Sequence, residues 1–138
     1  MDAVRASYSR RRWGARQVYT QQVLDHFENP RNAGLVAEPD ATAQTENPAC
    51  GDTLKLSARI RNGLIEEIRF QARGCVASIA CASALTELLD GRAVEDARRL
   101  SREQIVAAIG GLPAASTHAS HLAIDALRAL LEQVDRGR

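Results

Sequence analysis

Aromatic side chains are scarce, at 4% of 138 residues, with a single tryptophan. That weakens any role built on stacking nucleobases. No charge of one sign dominates either. Eighteen basic against seventeen acidic residues leave a net charge of +1, so no global field points to nucleic acid. Long hydrophobic runs are missing, and none approaches a membrane span. There are only three cysteines, Cys50, Cys75 and Cys81. The odd count lacks paired spacing, and no apolar signal-peptide segment precedes it. Reduced thiols in a cytoplasmic protein are therefore expected, available as metal ligands or nucleophiles, rather than a disulfide framework. Neither CxxC nor HxxxH occurs.

What is present suits one domain with its own core: 45% hydrophobic and 25% charged residues. Residues 1–16 stand apart, because Arg5, Arg10, Arg11, Arg12 and Arg16 face one acid, Asp2. This composition predicts a flexible basic arm ahead of a domain over residues 17–138. An arginine-rich, acid-poor start also fits an organelle transit segment, though it shows no amphipathic stripe.

The segment "QVYTQQVLDHFEN" predicts a helix with Val18, Leu24 and Phe27 on one side, stopped by Pro30 and Gly34. A weak strand is expected near "ATAQTEN". The clearest pattern follows. Leu54, Leu56, Ala58 and Ile60 alternate with polar residues, and so do Ile68, Phe70 and Ala72. Two such strands around Asn62-Gly63 predict a hairpin. A two-residue turn would set Leu56 against Arg69, an apolar residue and a charge on one face. A three-residue bulged loop with Gly63 left-handed sets Leu56 against Phe70, and is expected instead. From Val76 to Asp90 the apolar period becomes helical, ending at Gly91. A short helix near Val94–Leu100 and one opened by the capping-box pattern "SREQ" follow. The last helix is expected from an N-cap at Thr117 to about Val134, burying Ala119, Ala123, Ala126, Leu127, Leu130 and Val134. The order predicts an α+β fold, with a small three-stranded antiparallel sheet and helices packed on it.

Four residues carry the chemistry. Cys50 sits just before a strand, with Gly51 and Asp52 following. Cys75 and His118 each fall where a helix begins, and a helix N-terminus favours thiolate over thiol. Two helix starts and one strand entry converging at one end of a sheet make a small site able to hold thiolates with a metal, although spacing alone supports such a site only weakly. Alternatives stay open on this evidence. Free cysteine is often inert core, and Cys75 with His118 can also be read as nucleophile and base. Cys81 shares a face with Leu85 and Leu88 and is expected in the core. His121 lies on the polar side with Asp125 and Arg128.

Taken together, "YTQQVLDHFENPRNAG", "NPACGDTLKL", "IEEIRFQARGCVASIACAS" and "THASHLAIDAL" resemble the iron–sulfur cluster assembly scaffolds of the IscU/NifU N-terminal-domain type, in order from Val18 to Leu131. The resemblance implies a [2Fe–2S] cluster or iron as cargo, or Zn²⁺ in its absence. It implies sulfur from a cysteine desulfurase and delivery to apo iron–sulfur proteins; the composition and run lengths above add no membrane or nucleic-acid partner. Carried over by position, the cluster or metal ligands are Cys50, Asp52, Cys75 and His118. Two departures stand out. The family's third cysteine, a ligand and sulfur acceptor, follows the histidine directly, and Ala119 stands there. The segment a dedicated chaperone recognises reads Leu112-Pro113-Ala114-Ala115-Ser116, so the resemblance does not carry chaperone docking. With the acceptor missing, a zinc- or iron-binding paralogue that regulates the desulfurase without building clusters is the alternative.

Overall fold

The computed structural model describes residues 19–137, so the basic arm expected over residues 1–16 lies outside the described part. Helix α1 spans Gln21–Glu28 and is capped by the Thr20 hydroxyl, which accepts the Val23 N–H at 3.0 Å. Three strands follow, β1 over Ala41–Asn47, β2 over Asp52–Arg61 and β3 over Leu64–Arg73. They form one antiparallel sheet in the order β1-β2-β3. Then come α2 over Val76–Leu89, α3 over Val94–Arg99, α4 over Arg102–Ala108 and α5 over Thr117–Arg136. Helices α2 and α5 pack on one face of the sheet and on each other, and α1 packs on α2.

The alternation in β2 and β3 has the expected consequence. Leu54, Leu56, Ala58, Ile68 and Phe70 are buried against α2 and α5. Fully burying such a leucine or isoleucine is worth roughly 1.5–3 kcal/mol. Leu56 pairs with Phe70, as the hydrophobic match requires. The device that sets this register differs from the expected three-residue loop. Arg61 pairs with Leu64 across a two-residue turn whose Asn62 and Gly63 both have positive φ, 53° and 78°. Arg59 then pairs with Glu67 while Ile60 pairs with Ile65, so Glu66 is the extra residue of a bulge. A favoured Asn-Gly turn and a favoured core face thus coexist, and the bulge absorbs the mismatch.

Two further expectations are corrected. Helix α1 buries Val23 and His26, while Phe27 is exposed and Leu24 only half-buried. A polar residue takes the inner face because it has a partner there: His26 Nδ1 lies 2.7 Å from Ser83 Oγ. Thr117 is the first helical residue of α5 rather than its N-cap. Ser116 is the cap, and the Thr117 hydroxyl donates to Ala114 O at 2.9 Å, closing the short 3₁₀ turn Ala114–Ser116. The capping box opening α4 is present as expected, between Ser101 and Gln104. All six residues of the expected α5 stripe are buried.

Candidate metal-binding site

Sheet register builds the site. The last rung of the hairpin pairs Thr53 with Arg73. The start of β2 and the exit of β3 therefore lie side by side, with Asp52 next to the turn through Gly74 into α2. Cys50 precedes β2 in a turn closed by its own N–H and that of Gly51 on Asn47 O, at 3.3 and 2.7 Å. Gly51 has φ +78°, a conformation that favours glycine. Cys75 is the N-cap of α2, and its side chain makes no capping bond. The 3₁₀ turn after Pro113 sets α5 so that His118, in its first turn, faces the same sheet end.

All four residues expected from the sequence come to this place. One ligand atom each of Cys50, Asp52 and His118 lie within 4.8 Å of one another. His118 Nε2 is 3.6 Å from Asp52 Oδ2 and 3.8 Å from Cys75 Sγ. The setting is graded. Cys50 is exposed, Cys75 and His118 are half-buried, and Asp52 is buried. Burial pushes the Asp52 carboxyl pKa up, but hydrogen bonds from Ser78, from the Cys75 backbone and from both thiols outweigh it. The net effect holds the group below the usual carboxylate range. An ionised oxygen donor is thus available beneath two sulfurs and an imidazole nitrogen. The set mixes soft, borderline and hard donors, which fits zinc or an iron-based cargo.

The other candidates fall elsewhere. Cys81 is fully buried, and desolvation pushes its thiol up to about 12, which makes it an inert core residue. His121 is exposed one turn along α5, as are Asp125 and Arg128. Ala119 is 1% exposed, within the core cluster. One residue escaped the reading from sequence. Ser78 is buried, its hydroxyl donates to Asp52 Oδ2 at 2.6 Å, and it lies 3.4 Å from Cys75 Sγ. The signal was in "GCVAS": a serine three positions after a helix N-cap is placed to bond back toward it.

Comparison with solved structures defines the class of fold. The N-terminal part of a nitrogen-fixing NifU-like protein from Brucella abortus superimposes with a TM-score of 0.72, covering 86% of this chain and 95% of that one at 20% identity. Sequence similarity carries further. An iron–sulfur cluster assembly scaffold protein IscU of Archaeoglobus fulgidus is 41% identical over 111 residues, 80% of this chain and 72% of its own. The scaffold protein of that name from Haemophilus influenzae is 38% identical over 117 residues, 82% of this chain and 92% of its own. The family model for the NifU-like N-terminal domain matches residues 18–136, and the chain belongs to that family.

Proposed function

We propose that this protein is an iron–sulfur cluster assembly scaffold or carrier. Iron or a [2Fe–2S] cluster is its cargo, held by Cys50, Asp52, Cys75 and His118. One observation supports this most. Two sulfurs, one nitrogen and one ionised oxygen gather at a single sheet end, half open to solvent. An open site suits a group that must enter and leave, and a carboxylate is a more labile ligand than a thiolate for a soft metal. Relatives named as cluster assembly scaffolds, 38–41% identical, support the same role. Sulfur would come from a cysteine desulfurase and the cargo would go to apo-proteins, in a reducing compartment, the cytoplasm. The role is that of a carrier rather than a catalyst. No helix among the described residues is long and apolar enough to cross a membrane.

A second reading has its own observation. The residue after His118 is a buried alanine, without the thiol that the resemblance leads one to expect. A chain lacking that sulfur acceptor can hold zinc or iron and dock on a desulfurase to regulate it, without building clusters. Anaerobic reconstitution with ferrous iron and sulfide separates the two. A visible cluster chromophore with about two irons and two sulfides per chain supports the scaffold. Bound zinc that iron and sulfide do not replace supports the regulator.

A further inference from the structure

The Asp52 carboxylate does not lie free in the site. It is seated on the start of α2. The Ser78 hydroxyl donates to its Oδ2 at 2.6 Å, and the Cys75 backbone N–H donates to the carboxylate as well. Gly74 closes the seat from the third side. A Cβ built on Gly74 would fall 2.4, 2.6 and 2.8 Å from Asp52 Cγ, Oδ1 and Oδ2, closer than real Cβ atoms come. Its φ of +151° is also one that side-chain-bearing residues rarely adopt. The carboxylate is thus packed directly on backbone, in a space that only glycine leaves.

The shared atom decides what this seat does. Oδ2, which accepts from Ser78, is also the oxygen 3.6 Å from His118 Nε2, so it is the one turned toward that candidate ligand. A carboxylate oxygen has lone pairs for both a hydroxyl and a metal. Ser78 Oγ also lies 3.4 Å from Cys75 Sγ, so one buried side chain touches two of the four proposed ligands. His118 also reaches both, but as a proposed ligand; Ser78 is the one that reaches them from outside the ligand set.

We infer that Ser78 is a positioning residue of the site. Its hydroxyl, with Gly74 beneath, fixes the carboxylate of Asp52 so that Oδ2 faces His118, where a shared metal would be held. This rests on the ligand set proposed above and adds a residue to it. Groups that orient metal ligands in this way are typically worth about 10–100-fold in affinity. The Ser78→Ala variant should therefore bind Zn²⁺ at least about tenfold more weakly than the wild type, read against a chromophoric chelator. Ser78→Thr, which keeps the hydroxyl, should stay within about threefold on the same scale.

Two readouts separate orientation from general damage. In an Asp52→Ala background, Ser78→Ala should have no further effect, because the group it positions is gone. The visible absorption of Co²⁺ in the site should change with Ser78→Ala and not with Ser78→Thr. Far-UV circular dichroism on each variant checks the fold, and should Ser78→Ala not fold, Ser78→Gly, which also removes the hydroxyl and adds no metal ligand, takes its place in the cycle. Unchanged zinc affinity and cobalt spectrum in Ser78→Ala would overturn the inference while leaving the ligand set intact. So would a full effect persisting without Asp52. Absence of zinc and cobalt binding in the wild type itself would overturn the ligand set and the inference together.

Discussion

Asp52→Ala tests the local energetics without any metal. Its carboxylate is 6% exposed as a residue and accepts the Ser78 hydroxyl and the Cys75 N–H. Two effects oppose each other on removal. Deleting a buried carboxylate relieves its desolvation, which favours the variant. The Ser78 hydroxyl, 2% exposed as a residue, then loses its acceptor, and an unpaired buried donor costs about 1–3 kcal/mol. The start of α2 also loses a group doing the work of a cap, and Cys75 supplies no side-chain cap of its own. The direction of the Asp52 pKa decides the sign. Its hydrogen bonds outweigh burial, so the ionised form is on balance stabilised by the fold. The metal-free variant should therefore lose about 2 kcal/mol of stability. Urea unfolding after chelator treatment, followed by far-UV circular dichroism, measures it from the midpoint at constant slope. Asp125→Ala, exposed on α5, is the control and should leave the midpoint unchanged. A loss below about 0.5 kcal/mol, or a gain, would refute the view that Asp52 holds the helix end as well as a ligand position.

Three other outcomes follow from the same structure. His26 is buried, and desolvation holds its pKa below the ordinary 6.5, with Arg31 adding to that and Glu87 and Asp25 opposing it. The unfolded chain therefore binds the extra proton first, so stability should rise with pH across the window below about 6.5 and level off above it; urea midpoints between pH 5 and 7.5 should show this slope in the wild type and lose it in His26→Gln, and a flat wild-type profile would contradict it. Alkylation of the metal-free native protein, read by mass spectrometry, should label exposed Cys50 and leave Cys81 untouched until denaturant is added, since its thiol is fully buried and pushed up to about 12. Ala119→Cys adds one heavy atom to a residue 1% exposed, which should cost under about 1.5 kcal/mol; persulfide mass and cluster absorbance after incubation with a desulfurase should both exceed the native protein's, and equal transfer would show that one of the existing cysteines is the acceptor.

How much of this was readable beforehand depends on the kind of signal. The hairpin, the stripe of α5 and the Ser101–Gln104 capping box all rest on local periodicity, and they appear where the sequence puts them. The register of Leu56 on Phe70 was legible because only one pairing keeps the apolar face whole. The bulge at Glu66 was not, since turn and core preferences trade off in three dimensions. Helix α1 misled for a related reason. Apolar residues alone suggested Leu24 and Phe27 as its inner side, whereas His26 is buried through Ser83, a hydroxyl 57 positions away in sequence. At the site, the places of Cys50, Cys75 and His118 at element starts only weakly suggested a meeting, and the four-residue set came from the family resemblance. The seat beneath Asp52 was invisible until Gly74 and Ser78 were seen packed against it, because a glycine's close approach leaves no trace in periodicity.

A scaffold or carrier must take up a cluster and give it away. The most direct measurement loads the protein anaerobically with iron and sulfide, removes the excess, and mixes it with an apo-protein that accepts a [2Fe–2S] cluster, with a chelator present to trap free iron. For a transferring site, the visible circular dichroism of the holo-acceptor grows while the donor's own absorption decays, and Cys50→Ala and Cys75→Ala donors show neither. A protein that holds zinc firmly, forms no chromophore and transfers nothing would contradict the proposed role.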